Sequence, residues 1–431
     1  MRDAAGMAAS LVYIVGQVAP VLGRSLWQDI AHRASAAKAP DTVLRTTFDP
    51  TLPASVADPY AAYSALQSAR IAVNERLNVW MLTRFDDVNT AARAHDVLSS
   101  AEGIFLRSAS VPSIITTDEP DHNRLRSVVS RSFSPSTVRN LEHEVRRIVE
   151  PLAAKVRDGA DVDLMRDFAV PLPITMIAHM IGVPEERWAD FRRWSLDLAR
   201  VFSPRTVLEV GQVIGAAFPV IVKLEHLVHT EMLKRRTDPR DDILTALQRG
   251  VDEGEITRMH AYLFVMLLIV AGNDTTTNLL GIIGDRLVQD PELYARIRED
   301  RSLVPGLVEE GLRWGSPLQW VARVTKEPYE VAGHVIPKDS RVVLYFGAAN
   351  RDPARFPDPH TFDPTRTTTG QLGFGVGPHF CLGAHLARLE ARIAIDTLLD
   401  EVPALEPAGP LVWSTNPSLR GPKSLPVRRP R

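Results

Sequence analysis

The chain has 431 residues, 45% of them hydrophobic and 24% charged, with a formal net charge of −2. That length supplies a large buried core, and so balanced a charge gives no electrostatic ground for binding nucleic acid. A single cysteine, Cys381, excludes an internal disulfide, a zinc site of several cysteines and an iron–sulfur cluster held by cysteines.

Residues 7–23 are largely apolar, but Ser10, Gln17 and Pro20 interrupt them, and the run is too short and impure to span a bilayer. Leu11, Ile14, Val15, Val18 and Leu22 follow helical spacing, which predicts an amphipathic helix that docks or lies on a surface and bends at Pro20. Arg24-Ser25-Leu26 is a poor signal-peptide cleavage site, so a cytoplasmic protein is expected, with loose membrane contact through this helix left open. Further on, Asp58-Pro59, Asp238-Pro239 and Asp290-Pro291 each offer an N-cap followed by proline at the first helical position. Gly182 followed by Pro184 ends one helix and begins the next. Strand-like runs are short and few, chiefly 79–82, 329–336 and 341–346. The fold expected is mainly α with a minor β portion, and no linker parts the chain into two domains.

A helix beginning at Pro120 places His122 and Arg126 four residues apart on one face, which alone reads as a solvated charged face. Residues 257–289 predict one long helix whose first half, 261–271, is apolar nearly all round and therefore buried. The run Gly272-Asn273-Asp274-Thr275-Thr276-Thr277-Asn278 then interrupts it with polar residues that are costly to bury unless bonded. A threonine hydroxyl returned to a backbone carbonyl bends a helix, so the run is either a satisfied internal kink or a polar site. Glu310 and Arg313 form an i, i+3 pair of a kind common on helix surfaces.

The most informative run is 373–383, Gly-Phe-Gly-Val-Gly-Pro-His-Phe-Cys-Leu-Gly, where three glycines at every second position lead to the cysteine. An amphipathic helix follows, so Cys381 stands near a helix N-terminus, where the dipole and free N–H groups favour thiolate over thiol. Glycines let the backbone approach a bulky flat group, and Phe374 and Phe380 suit a metal centre shielded from water. An inert core cysteine is the plainer alternative. A nucleophile activated by His379 or His385 leaves the glycines unexplained. A phosphate loop fails on spacing, because Pro378 and Phe380 occupy the positions where its third glycine would fall and no Lys-Ser/Thr pair follows.

Phe-Gly-x-Gly-x-His-x-Cys-x-Gly, here Phe374 to Gly383, resembles the haem-binding loop of the cytochrome P-450 family of haem-thiolate monooxygenases. Its companions occur in the family's order: His122-x-x-x-Arg126, Ala271-Gly272-x-Asp274-Thr275-Thr276 and Glu310-x-x-Arg313. The resemblance implies a single-domain haem-thiolate fold over residues 58–431, with an N-terminal extension over 1–57. It implies haem b ligated by Cys381, with His122, Arg126, Arg323, His379, Phe374, Gly375 and Ala271 about the cofactor. Asp274 and Thr275 would manage protons, and Arg366 would join Glu310 and Arg313 in a structural cluster. Leu267, Val270, Ala271, Gln319 and Val321 would line the substrate site, along with parts of 104–115, 194–207 and 415–419. These segments are mainly apolar, which points to a lipophilic terpenoid, steroid, fatty acid or polyketide. The expected function is insertion of one oxygen atom from O2, with electrons from a separate ferredoxin and its NAD(P)H-dependent reductase. Arg124, Arg131 and Arg139 would form a basic docking patch. Alternatives are a peroxide-using or oxygen-independent haem-thiolate enzyme and a non-catalytic haem sensor, neither of which needs the Asp274-Thr275 pair.

Overall fold

Val79–Leu82 reads Val-Trp-Met-Leu, side chains suited to a sheet interior, and it forms a fully buried strand. It belongs to a six-stranded sheet of β1 (Leu44–Arg45), β2 (Ala72–Asn74), β3 (Val79–Leu82), β4 (Leu98–Ser99), β5 (Val321–Thr325) and β6 (Arg341–Leu344), ordered β1-β2-β3-β6-β5-β4. The computed structural model describes residues 35–106, 111–199 and 207–430, with Met7 and Ser10 as isolated positions; the helix expected over 7–23 otherwise lies outside the described residues. β3 runs parallel to β6, and β5 pairs antiparallel on the other side of β6 with Arg323 opposite Val342.

Three sequence expectations change in this layer. Pairing along 341–346 stops at Leu344, and Phe346 opens a short helix to Ala349. The run 329–336 is two strands, Tyr329–Val331 and His334–Ile336, because Ala332 and Gly333 take φ of 54° and 76° and turn the chain back. The boundary expected at residue 58 falls inside packed structure: β1 pairs with β2, and Ala36, Ala39 and Val43 join the apolar cluster beneath the sheet.

The other body is helical. Its principal members are α1 (Asp121–Ser130), α2 (Glu142–Asp158), α3 (Pro171–Ile181), α4 (Arg258–Leu267), α5 (Asn273–Gln289), α6 (Val304–Gly315) and α7 (Ala384–Glu401), and residues from all of them share one apolar cluster. Local signals place most of the boundaries. Gly182 ends α3 in the left-handed region at φ 93°, and Asp290 caps Pro291–Glu299 by accepting the Leu293 N–H at 2.9 Å. Asp238-Pro239 starts no helix; Ile243–Asp252 begins later, where Asp242 accepts the Thr245 N–H at 2.8 Å.

Thr257 and His260 form a capping box that launches the long helix. Arg258–Gln289 spans 32 residues and is long and apolar enough to cross a membrane, yet 50% of its most apolar window is buried inside the protein. Between α4 and α5, Leu268–Gly272 winds as a π turn, a defect that in helices often marks a functional site. α6 lies close against α5 because Gly311 and Gly315 leave room: a Cβ there would come within 2.8 Å of Ile283 and 2.6 Å of Ile282.

At the end of α6, Glu310 and Arg313 have no exposed side-chain surface. Arg313 donates through Nε and Nη2 to the two Glu310 oxygens, each at 2.7 Å, and its remaining N–H groups reach the carbonyls of Asn350, Pro359 and Thr361. Arg366 adds a longer contact to Glu310 at 3.4 Å, and the Asp363 N–H donates to it at 2.9 Å. Removing one partner of a buried pair strands the other charge and costs about 3–5 kcal/mol. Arg313→Leu is therefore expected to lower the urea midpoint sharply and to loosen the segment leading to Cys381. An unchanged midpoint would show that this cluster does not hold the fold.

Candidate active site

The cysteine loop hangs from Asn350, a residue whose carbonyl Arg313 holds. The Leu372 N–H donates to the Asn350 side chain at 2.7 Å, the Gly375 N–H to the Leu372 carbonyl at 2.9 Å, and the Cys381 N–H to the Phe374 carbonyl at 2.9 Å. Gly375 and Gly377 take φ of 66° and 73°, so their missing side chains serve the loop's own turn. Cys381 follows, shortly before Gly383 caps α7. Burial pushes its thiol up, and the Gly383 N–H with the Arg126 and Arg388 guanidiniums pulls the other way without overcoming it. A bound metal ion would add the positive charge that favours the thiolate. Phe374 packs against the core beneath Arg388, 4.5 Å away, and Phe380, 40% exposed, meets it edge-on at 6.4 Å.

Basic groups converge beside this loop. From α1, Arg126 donates to the carbonyls of Pro378 at 3.1 Å and Phe380 at 2.8 Å. His122 is 1% exposed, its ring lies 4.4 Å from that of His379, and its Nδ1 has no partner. Nε2 of His379 sits 3.1 Å from the Ser100 hydroxyl. Arg323 projects from β5, buried, and among the described residues its side chain's one hydrogen bond goes to the neighbouring Ala322 carbonyl at 2.9 Å. Burial pushes Arg323 down to about 10. Burial followed by Arg126 lowers His122, and burial followed by Arg323, His122 and Arg126 holds His379 far below its usual value. Among the described residues neither Arg126 nor Arg323 makes an ion pair. A buried cation without a counter-ion is costly, and two carboxylates would complete this donor set. Together with a thiol on the same loop, the orphaned His122 nitrogen and the unpaired Arg323 fit the carboxylates and iron of haem b.

On the long helix, Thr275 returns its hydroxyl to the Ala271 carbonyl at 2.7 Å. Ala271 is exposed although Ile269 and Val270 just before it are buried, so this core helix has an open face at its middle. Burial pushes the Asp274 carboxyl up to about 6, opposed by a hydrogen bond from the Asn273 amide at 2.9 Å. Leu267 is half-buried and Val270 buried on the same helix, and Val321 is buried in the sheet cluster. Gln319 is placed otherwise than expected. Its side chain accepts from the Tyr63 hydroxyl at 3.0 Å and donates to the carbonyls of Gly315 and Ser316, leaving no polar group for a substrate. Of the other lining segments, 107–110 and 200–206 lie outside the described residues.

Sequence reasoning passed over three residues. Ser100 bonds His379 from a distant loop and carries no local signal. Arg388 stands seven residues after Cys381, two helical turns on, a spacing that could have found it. Asn273 lay within a quoted motif at a position treated as arbitrary.

The family model for cytochrome P450 matches residues 216–403. Cytochrome P450 107B1 of Saccharopolyspora erythraea is 38% identical over 380 residues, covering 83% of this chain and 91% of that one. The 6-deoxyerythronolide B hydroxylase of the same organism is 39% identical over 318 residues, 73% of this chain and 77% of its own. Among solved structures, CYP109B1 from Bacillus subtilis superposes with a TM-score of 0.79 at 31% identity, over 86% of this chain and all of the other (100%). With this likeness running through most of the chain and the cysteine loop in place, the protein belongs to the cytochrome P450 family.

Proposed function

We propose that this cytochrome P450 monooxygenase inserts one oxygen atom from O2 into a lipophilic small molecule of the terpenoid, steroid, fatty acid or polyketide class. Electrons come singly from a separate ferredoxin and its NAD(P)H-dependent reductase in the cytoplasm. The observation that carries this reading is the acid–alcohol pair Asp274-Thr275 directly after a π turn, beside an alanine exposed in the middle of a buried helix. Haem b supplies the oxygen-activating chemistry when bound, and donation from its cysteine ligand assists O–O cleavage.

The chain's own residues do the rest. Cys381 offers Sγ as ligand, while His122, Arg126, Arg323 and His379 hold the cofactor's carboxylates. The second oxygen atom leaves as water, so protons must arrive on the O2 side of the site. Asp274, with a carboxyl near 6, exchanges protons with solvent at neutral pH, and Thr275 Oγ1 holds the water that passes them inward. Leu267, Val270, Ala271 and Val321 present hydrocarbon to the substrate. Relatives carry ligands of that character: CYP109E1 from Bacillus megaterium is solved with testosterone, and myxobacterial CYP267B1 with myristic acid.

Arg131 and Arg139 are exposed, and among the described residues neither makes an ion pair, so both are available to an acidic ferredoxin. Arg124 is less so, because it pairs with Asp121 at 2.7 Å and also bonds the Glu255 carbonyl.

Two outcomes are expected. Thr275→Ala keeps haem, substrate binding and NAD(P)H consumption but diverts much of that consumption to peroxide; general acid–base groups contribute about 10²–10⁴-fold, so the loss of product is large. Product formed per NAD(P)H oxidised, with peroxide assayed alongside, measures it, and unchanged coupling would move peroxide-driven or oxygen-independent chemistry ahead. Reduction by ferredoxin should also slow with rising salt and in an Arg131→Glu, Arg139→Glu double variant. Indifference to both places docking elsewhere.

A further inference from the structure

We propose that Asn273 is a positioning residue that holds the Asp274 carboxylate ionised and in place through its side-chain amide. The proposal rests on the reading of Asp274 as the proton-exchanging acid. Consecutive residues on a helix point apart and do not ordinarily meet. Here they do, directly after the π turn Leu268–Gly272: Asn273 Nδ2 donates to Asp274 Oδ1 at 2.9 Å. Asn273 is itself 3% exposed, and its Oδ1 is buried without a partner among the described residues. A buried amide with one arm unsatisfied is destabilising by its own account, so packing gives no reason for it that leucine would not meet better. Among the described residues its side chain makes one bond, the bond to Asp274.

The surroundings leave that bond little competition. Among the described residues the π turn packs on α3 and Trp188–Ala199, and α5 packs on Met165–Ala169, α3, α6 and α7. The charged or titratable groups of Met165–Ala169, α3 and Trp188–Ala199 are Arg166, Asp167, His179, Asp190, Arg192, Arg193 and Asp197, and those of α6 and α7 include Glu310, Arg313, Arg388 and Glu390. Arg166 is paired with Asp167, His179 with Glu144, and Asp190 with Arg193. None of these groups, nor Arg258 and His260 on α4, acts on Asp274; among the described residues its carboxyl feels burial, which raises it, and the Asn273 amide, which lowers it. A donor to the charged form favours ionisation. The sign follows. Without the amide, burial acts unopposed, Asp274 titrates at higher pH, and more of it is held protonated at neutral pH, unable to take up the next proton.

The test uses haem-loaded protein as wild type, Asn273→Leu and Asp274→Asn, with Asn273→Ala should the leucine variant fold poorly. The infrared band of the buried carboxylic acid, assigned by its loss in Asp274→Asn, is titrated with pH. Its midpoint is expected near 6 in wild type and about one pH unit higher in Asn273→Leu, the size of one hydrogen bond to a charged group. The acid limb of product formed per NAD(P)H oxidised should move up by the same amount and disappear in Asp274→Asn. An infrared midpoint unmoved in the Asn273 variants overturns the proposal. A midpoint that moves while the acid limb stays put in every variant confirms the hold on the carboxylate and overturns the proton role of Asp274 instead.

Discussion

Glu310 and Arg313 are both wholly removed from water, and the placing of Cys381 depends on their pairing. Charges in such a position are tolerable only with good geometry and every donor used. Arg313 meets that condition by spending its remaining N–H groups on the carbonyls of Asn350, Pro359 and Thr361. Asn350 in turn donates to the Ser316 hydroxyl at 2.9 Å and accepts the Leu372 N–H at 2.7 Å. From Leu372 the backbone bonds step to Gly375, and from Phe374 to Cys381. A pair on one helix is thereby linked, bond by bond, to a thiol on a loop that is otherwise mostly glycine and turn.

The groups around that thiol share a second property. Burial pushes Arg323, His122 and His379 down and Cys381 up, so each is driven toward its neutral form. Bound haem b would oppose these tendencies: its carboxylates would favour the cationic side chains, and its iron would favour the thiolate.

Much of this was legible in the sequence, for identifiable reasons. The cysteine loop, the polar interruption at 272–278 and the Glu310-Arg313 pair are local, and local spacing carries them. Gly182 and Asp290 set helix ends as their chemistry requires. What stayed hidden is non-local. Ser100 reaches His379 across 279 residues of chain, and Gln319 turns from the substrate side because Tyr63 lies 256 residues away. Sequence spacing placed Cys381 near a helix start but could not show that burial pushes its thiol up or that Arg126 comes from a distant helix to oppose this. The hairpin at 329–336 was missed because an Ala-Gly turn is weaker punctuation than Asn-Gly.

The central claim is that Cys381 ligates haem iron as thiolate, and the spectrum of the reduced protein with carbon monoxide tests it most directly. The strongly red-shifted Soret band of thiolate ligation is expected in wild type, lost in Cys381→Ala, with some haem retained through weaker ligation in Cys381→Ser. An imidazole-type band in fully folded wild-type protein would contradict the account.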